Sequence, residues 1–349
     1  MLIIHAYLIW GVLSPTVQAI PVFNLYDSTQ QVVDQSAGQR QQAQAQAFAE
    51  VIVRVTGSAL SLQHPMVMTA GTDAAQYLLE YSYTSVDQQG QKPMGLYFRF
   101  DQLAVNALLE QAGLSIWGEE RAVVLAWLVL EEQGQRRLVT LHDHLSMDML
   151  VEHSQRRGMP LITPLLDLED QSRLPVADLW LLLKEPIMAA SARYQPAGIL
   201  IGRLLQDDLQ RWVVNWSFWF QGKELQWQNQ SFDLQPLVAE ATDRVATEVA
   251  QVYAVSTRSR TSQELDLLVD GVAELAEYAA LQRLLLDLAN VTGLQVRQID
   301  GRQVQLRLQT QGSRQQLRAA LALERRLRIN HTANTTVDPV GQWYYSWRD

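Results

Sequence analysis

Nine consecutive apolar residues, Ala122–Leu130 (AVVLAWLVL), constrain the fold of this chain more than any other segment. A strand with one face in water alternates apolar and polar residues, whereas an uninterrupted apolar strand is typical of a sheet that is covered on both faces. Ala197–Leu204 (AGILIGRL) has the same character. Helical periodicity between and after these segments predicts a mixed-sheet α/β sandwich with helices on both faces.

The elements around these two strands follow from periodicity and from turn residues. In chain order they are a helix at 143–157 ending at Gly158, a buried strand Leu161–Leu168 interrupted by Pro164, a helix Val176–Tyr194 broken at Pro186, a strand hairpin Trp212–Phe220 and Leu225–Phe232 about Gln221-Gly222-Lys223, and a helix Leu237–Tyr253.

An α+β unit is predicted before this sandwich. Ser36 caps a helix that extends to Val55 and ends at Gly57. Further elements are a helical stretch Thr72–Tyr81, strands Tyr81–Val86 and Leu96–Phe100 joined by a polar turn at 87–90, and a helix capped by Asp101 with apolar positions Leu103, Leu108 and Leu109 before Gly113.

A small ferredoxin-like βαββα module is predicted at the C-terminal end, with the Asp300-Gly301 turn as its hairpin signal. Its elements are Glu264–Gly271, Glu274–Ala289, Leu294–Ile299, Gln303–Leu308, Ser313–Leu323 and a closing strand Leu327–Asn330. The aromatic residues Trp343, Tyr344, Tyr345 and Trp347 then either form an edge strand on this module or extend the sheet of a partner.

The fold class is therefore α/β and α+β in a multi-domain chain of 349 residues. The predicted division is a signal peptide at 1–19, an N-terminal α+β domain at 20–115, an α/β middle domain at 116–255, a linker at 256–263 and the C-terminal module at 264–349.

The first residues are read as a secretory signal peptide. An apolar run at 2–13 is shorter than the roughly 20 residues that span a bilayer, and the small-residue pattern Val17-Gln18-Ala19 follows it. The basic residues usual at the start of a signal are missing, so a retained anchor in the inner membrane is the alternative. The sequence favours a periplasmic protein whose mature chain begins at Ile20.

Composition excludes several functional classes. The formal net charge of -9 argues against a surface that tracks nucleic-acid phosphates. The absence of cysteine excludes disulfides, thiolate zinc sites and a cysteine nucleophile. No nucleotide loop, nucleophile elbow or zinc-protease motif is present, so the chain is interpreted as non-enzymatic, without a catalytic residue, a metal or a cofactor.

Two clusters of side chains are nevertheless candidates for a metal site or for catalysis. His142 and His144, with Asp148 and Glu152 downstream, have the spacing of a His/carboxylate metal site, although a helix-capping loop explains the same residues.

The second cluster consists of carboxylates after a buried strand, where α/β proteins often place ligands. Asp167, Glu169 and Asp170 suit acid/base catalysis in a hydrolase if their environments split their pKa values. The alternative is that these acids lie in a solvent-exposed loop after the strand. In that case Arg203 forms a salt bridge of structural role with Asp167 or Glu169.

Tryptophans concentrate on the predicted hairpin. Trp212 and Trp216 share one face of their strand and Trp219 lies on the other, so at least one set is core, while a groove for peptidoglycan, oligosaccharide or peptide is the functional alternative. The candidate binding residues are Trp212, Trp216, Trp219, Trp227 and Arg203.

Several motifs occur in an order that resembles domain-of-unknown-function family 2066, a group of exported gamma-proteobacterial proteins. They are Ala47–Gly57 (AFAEVIVRVTG), Leu114–Trp117 (LSIW), Arg156–Leu161 (RRGMPL), Leu165–Asp170 (LLDLED), and Ala192–Tyr194 (ARY) leading into Ile201–Arg203 (IGR). The resemblance implies a periplasmic location and brings no activity or catalytic residues.

The segment from Ala192 to Arg203, followed by a tryptophan-rich hairpin, is also similar to the middle domains of TolB-type, curli-secretion and flagellar-ring proteins. That likeness implies a role in envelope assembly by fold analogy. The leading interpretation is a scaffold that contacts other envelope proteins, with no nucleic-acid partner and with peripheral membrane association as a further expectation. The alternatives are a periplasmic hydrolase that uses either His142 and His144 or the carboxylates of Asp167, Glu169 and Asp170, and a peptidoglycan or oligosaccharide binder that uses the tryptophan hairpin.

Overall fold

The structure is a computed structural model that describes residues 19–84, 94–140, 147–256, 263–288, 290–311, 313–330 and 342–348. It confirms the mixed α/β and α+β fold class. The described helices and strands form several sheets, of which the largest has six strands.

The first part of the chain packs helices on a three-stranded antiparallel sheet of order β2-β4-β3. Its elements are β1 (Ala19–Pro21), β2 (Asp27–Val32), α1 (Ala37–Thr56), α2 (Pro65–Thr72), β3 (Leu78–Thr84), β4 (Met94–Phe100), α3 (Gln102–Ala112) and β5 (Ser115–Ile116).

The predicted caps of α1 and α3 are confirmed, since Ser36 and Asp101 accept hydrogen bonds from the first helical N–H groups. The helical stretch predicted at Thr72–Tyr81 is confirmed only in part, as the end of α2 and a 3₁₀ helix at Ala74–Tyr77. Pro65 opens α2 earlier because its fixed φ suits the first helical turn. Leu78 onward is strand instead, because β3 pairs along its length with β4. Leu103 is exposed rather than part of the core.

The middle part contains the six-stranded sheet, of order β12-β11-β10-β7-β8 with β9 also paired to β7. Its elements are β6 (Glu120–Ala122), β7 (Val124–Glu132), β8 (Gln135–Leu138), α4 (Met147–Arg156), β9 (Leu161–Ile162), α5 (Leu168–Arg173), α6 (Val176–Trp180), α7 (Lys184–Ser191), β10 (Gly198–Gln206), β11 (Trp212–Phe220), β12 (Lys223–Ser231), α8 (Leu234–Tyr253) and β13 (Val255–Ser256).

The apolar run at 122–130 is buried on both faces, as its composition predicts. Alternate residues of β7 enter two separate hydrophobic clusters: Ala126 and Leu128 lie beneath α4 and α8, whereas Trp127 and Val129 lie beneath α5, α6 and α7. Gly202 on β10 makes room for this packing. A Cβ there would lie 2.6 Å from atoms of both Leu128 and Trp216.

Between β9 and β10 the prediction is wrong in two places. The strand from Leu161 stops at Ile162, because Pro164 supplies no N–H for pairing and Asp167 caps α5. The long helix does not break at Pro186, which lies in the first turn of α7. It breaks at Leu182, whose φ of 56° is left-handed. The predicted helix at 143–157 corresponds to α4, and residues 143–146 lie outside the described residues.

The C-terminal part has the predicted order of elements in a five-stranded sheet, β15-β16-β14-β18-β17. The elements are β14 (Gln263–Asp270), α9 (Leu275–Asp287), β15 (Val291–Asp300), β16 (Gln303–Thr310), α10 (Arg314–Leu323), β17 (Leu327–Ile329) and β18 (Trp343–Trp347). The aromatic tail is neither an edge strand nor an exposed one, because β18 is inserted between β14 and β17 and buries alternate aromatic residues.

Pairings between these parts connect them across the predicted domain boundaries, so that division stays a prediction. Strand β1 pairs with β6, and β5 pairs with β13. Gly57 adds a close contact, because its left-handed φ of 72° ends α1 directly against Ala250 of α8. Residues 1–18, the predicted signal peptide apart from Ala19, and most of the predicted linker lie outside the described residues. Among the described helices, none combines the length and hydrophobicity needed to cross a membrane.

Candidate functional site

Helices α5, α6 and α7 form a thin layer on one face of the six-stranded sheet. They contact one another, and α6 also contacts β7 and β8. Their inward side chains Leu174, Leu179, Ile187 and Ala190 join Trp127 in one buried cluster. The layer is thus fixed to the sheet by its inner apolar side chains.

The layer also carries large apolar side chains that are exposed to solvent. Five large side chains here are between 43% and 84% exposed: Leu165, Leu168, Leu181, Leu183 and Met188. We call these five residues the layer surface. Scattered exposed leucines are ordinary, but large apolar side chains concentrated on one surface are typical of an interaction site.

A polar anchor lies under the layer surface, built around the Asp170 carboxylate, which is fully buried. Its oxygens accept hydrogen bonds from the Leu166 N–H at 2.9 Å, from Arg193 Nη1 at 3.1 Å and from the Tyr194 hydroxyl. The Tyr194 oxygen accepts in turn from the Leu165 N–H at 2.9 Å. The anchor therefore fixes the backbone that leads into α5.

The Asp167 carboxylate completes this anchor. It caps α5 through the Asp170 N–H at 3.0 Å and binds both terminal nitrogens of Arg193 at 2.9 and 3.1 Å. The hydrogen bonds from Arg193 lower the pKa of Asp167. Burial, together with the hydrogen bond to Asp170, raises the pKa of Tyr194 to about 12.

These contacts leave the predicted catalytic carboxylates little freedom. Asp170 has no contact with solvent, Asp167 is held ionised by Arg193, and Glu169 pairs with Arg173 at 3.0 Å and with Arg193 at 3.4 Å. The arrangement is that of a structural anchor.

The predicted pairing of Arg203 with Asp167 or Glu169 is wrong. Arg193, in the turn that joins α7 to β10, takes both carboxylates. Arg203 instead donates to the Trp180 carbonyl at 3.0 Å and lies over the Trp180 ring. Five residues along β10 from Gly198, it is near α6 rather than α5, so the carboxylates pair with the arginine that precedes β10.

The candidate tryptophans lie on both faces of the hairpin. Trp216 is buried beneath α8 and stacks on Trp227 with ring centroids 6.3 Å apart. Trp219 is buried on the opposite face, and Trp212 is half-buried. This placement corresponds to the core-packing interpretation, and a binding role for these residues stays a prediction.

His142 and His144 lie outside the described residues. Downstream on α4, Glu152 pairs with Arg156 at 2.9 Å. Within the ranges that the structure describes, no group of three or more His, Asp or Glu side chains has the arrangement of a metal site.

Sequence reasoning missed a second feature, three buried arginines between the first and middle parts of the chain. The Arg121 guanidinium donates to five backbone carbonyls, including those of Arg54 and Gly158, and burial lowers the pKa of Arg121 to about 9. Arg157 bonds to the Gly57 carbonyl at 2.9 Å. One signal was visible in the sequence, since Arg54 interrupts the apolar stripe of α1.

Next to these arginines is an open cleft of about 630 Å³ between the segment at 20–29 and the segment at 151–161. Its charged side chains are already partnered: Arg54 bonds to Glu50 and to backbone carbonyls, and Tyr97 bonds to Asp27 at 2.6 Å. The three buried arginines therefore hold the first and middle parts of the chain together.

Comparisons with known proteins give one family match. Residues 19–118 match the family described as Domain of unknown function (DUF8605). No curated protein matches the sequence. A solved structure described as "Crystal structure of uncharacterized protein" is similar at 10% identity over 38% of this chain and 90% of that chain, with a TM-score of 0.18. The resemblance to family 2066 stays a prediction.

Proposed function

We propose that this chain is a non-enzymatic protein that binds another protein through the layer surface and supports assembly or scaffolding in the cell envelope. One observation carries the proposal: five large apolar side chains are exposed on the short helices and connecting turns of this layer, and the Asp170 anchor fixes the segment that leads into its first helix. A rigid surface loses little conformational freedom on binding, so more of its contact energy becomes affinity.

Charge around the layer surface indicates the chemistry of the partner. Residues 165–193 contain five acidic side chains, at 167, 169, 170, 178 and 185, and three basic ones, at 173, 184 and 193. Arg193 pairs with the first three acids, and Arg136 and Arg203 lie over the Trp180 ring of α6, so the charges on the layer nearly balance. An anionic lipid surface attracts basic segments, so this composition does not favour a bilayer. It favours a protein that presents an apolar patch.

Export is the second part of the proposal. The apolar run at 2–13 and the small-residue pattern ending at Ala19 support a periplasmic location, with a retained inner-membrane anchor as the alternative. Cell fractionation of the full-length chain tests this part independently of any binding partner.

Site-specific photo-crosslinking in living cells tests the binding surface. A photoreactive residue replaces Leu168, the first residue of α5, and a matched control replaces Leu275, the first residue of α9. The two leucines are 84% and 82% exposed, so the photoreactive residue is equally accessible at both positions. We expect one envelope protein to be captured at Leu168 and not at Leu275.

The captured protein is then purified and its affinity measured. Leu168→Glu is expected to weaken binding at least about tenfold, because removal of a central apolar contact costs this much at typical interfaces. Leu275→Glu should leave the affinity unchanged. Equal capture at both positions, or an affinity that Leu168→Glu does not alter, would refute the layer surface as the binding site.

A further inference from the structure

The C-terminal part of this acidic chain contains a basic segment. Residues 313–330, which include α10 and β17, contain five arginines and one acid, whereas the whole chain has 28 basic and 37 acidic side chains. Four of these arginines are exposed, at 314, 318, 325 and 326. We call these four residues the arginine surface. Among the residues that the structure describes, none of the four forms a salt bridge with an Asp or a Glu.

Tryptophans of β18 restrict the positions of two of these side chains. The Arg318 guanidinium lies over the Trp343 ring, 5.1 Å from its centroid, and the Arg326 guanidinium lies 5.6 Å from the centroid of Trp347. Trp343 and Trp347 are four residues apart on one strand, so their side chains lie on the same face of the sheet. Arg318 and Arg326 therefore lie on the same side of the C-terminal sheet.

The other two arginines continue this surface. Arg314 is one helical turn before Arg318, so the two side chains lie on one face of α10. Arg325 follows α10 and precedes Arg326, and its Nη2 donates to the Ala19 carbonyl at 3.3 Å. Four positive charges are thus concentrated along α10 and the turn that follows it.

We propose that the arginine surface binds the phosphate groups of an anionic lipid bilayer. The guanidinium of arginine is planar and presents its N–H donors in a fork that fits phosphate oxygens, and it can stack on an aromatic ring at the same time. An anionic bilayer attracts clustered Lys and Arg side chains, with a gain in binding of about fivefold for each one near the surface. The arginine surface supplies both the charge and the donors that a layer of phosphate headgroups requires.

The apolar content of the segment distinguishes a bilayer from a protein as the partner. The core of a protein interface is apolar and is depleted in charged residues. Of the five large apolar side chains at 313–330, only Ile329 is exposed, and the four leucines are buried. A basic surface with so little apolar area does not favour a protein, whereas charge alone attracts it to an anionic bilayer.

The arginine surface and the layer surface are separated by the middle sheet. Helix α10 packs against α8, with Gln316 Nε2 donating to the Ala254 carbonyl at 2.7 Å, and Leu323 is buried in the cluster beneath α8. Helix α8 covers the sheet face opposite to α5, α6 and α7. A bilayer at the arginine surface therefore leaves the layer surface accessible to a protein, and this inference does not depend on the protein contact proposed above.

Binding to lipid vesicles tests the inference. The protein is residues 19–349, which contain every described residue and leave out the apolar run at 2–13 that would itself bind lipid. The probes are vesicles of phosphatidylcholine alone and of phosphatidylcholine with phosphatidylglycerol in equal parts, and cosedimentation measures the bound fraction. We expect binding to the anionic vesicles at about 0.1 M salt and release at about 1 M, where the screening length falls to about 3 Å. Vesicles of phosphatidylcholine alone should not bind the protein.

Substitutions locate the contact. Arg318→Gln should lower the partition coefficient about fivefold, and Arg318→Gln with Arg326→Gln about 25-fold. Arg318→Lys with Arg326→Lys keeps both charges and should retain binding within about twofold. The matched control is Arg244→Gln on α8, because Arg244 is also exposed and lies over a ring, 4.7 Å from the centroid of Trp227. This control removes the same charge and the same kind of ring contact elsewhere, and it should leave vesicle binding unchanged.

Two results would overturn the proposal. If the anionic vesicles do not bind at low salt, a bilayer is not the partner, and an acidic protein becomes the candidate. If Arg244→Gln and Arg318→Gln weaken binding equally, net charge decides binding and the arginine surface does not. Thermal unfolding of each variant, together with the lysine pair, separates loss of charge from loss of the fold. Leu168→Glu should bind vesicles as the parent chain does, so a failure of the proposed protein contact is distinguishable from a failure of this one.

Discussion

The two faces of the six-stranded sheet are covered in different ways. On one face, α8 is a single helix of 20 residues that buries ten side chains, and none of its large apolar residues is exposed. On the other face, α5, α6 and α7 have 6, 5 and 8 residues and bury one, one and three side chains. The second face leaves the layer surface in contact with water.

This difference separates two ways of stabilising a helix. A long amphipathic helix such as α8 is held by its continuous apolar stripe. Helices of one or two turns are not stable alone, because nucleation fixes several residues for one hydrogen bond. The layer of short helices instead depends on the Asp170 anchor. Its outer apolar side chains are not needed for this and remain exposed for contact with another molecule.

The largest expected effect is on the α8 face. Trp216→Ala removes a fully buried indole between β11 and α8, and substitutions of this kind cost about 3–5 kcal/mol. Urea unfolding followed by circular dichroism measures the loss. A cost below about 1 kcal/mol would mean that this face is not the tightly packed one.

The second prediction is aimed at the anchor. Asp170→Asn removes the buried charge that faces Arg193, and loss of one partner of a buried pair costs about 3 kcal/mol. The same urea titration measures it. Limited proteolysis should also show faster cleavage between α5 and α7 than in the parent chain. If stability falls but cleavage sites are unchanged, the anchor does not hold the layer specifically.

The sheet and its hairpin could be predicted from sequence because their signals are local and repeated. Trp212–Phe220 is nine residues rich in aromatic and β-branched side chains, which favour strands, and Gln221 and Gly222 both adopt the positive φ that a tight hairpin turn needs. The α8 helix has five turns of apolar periodicity over 20 residues.

The layer could not be predicted in the same way. Helices of 5 to 8 residues contain too few periods to define a face. Their ends depend on Leu166 and Leu182, whose φ values of 54° and 56° are unusual for leucine and are set by packing against the sheet. For the anchor, the sequence contains one arginine before β10 and one within it, and gave no means of choosing Arg193 over Arg203.

A third prediction uses pH to probe the anchor. The pKa of Asp167 is lowered in the fold by Arg193, so its contribution to stability is present above the ordinary carboxyl pKa and is lost as pH falls through the lower, folded value. Asp167→Asn keeps the helix cap and removes the titration. Below about pH 4 the parent chain should therefore lose stability more steeply than the variant. Parallel pH profiles of the two chains would show that the ion pair between Asp167 and Arg193 does not contribute to stability.

The smallest expected effect is on the layer surface itself. Leu168→Glu and Leu275→Glu each place a carboxylate in the first turn of a helix, where the helix dipole favours negative charge, and each replaces a leucine that is more than 80% exposed. Both should change the free energy of unfolding by no more than about 0.5 kcal/mol. Equal, near-zero effects on stability mean that Leu168 is not retained for folding, so any loss of partner binding in Leu168→Glu reports the surface alone. A large loss of stability in Leu168→Glu would place this leucine in the core and remove the contrast between the two faces.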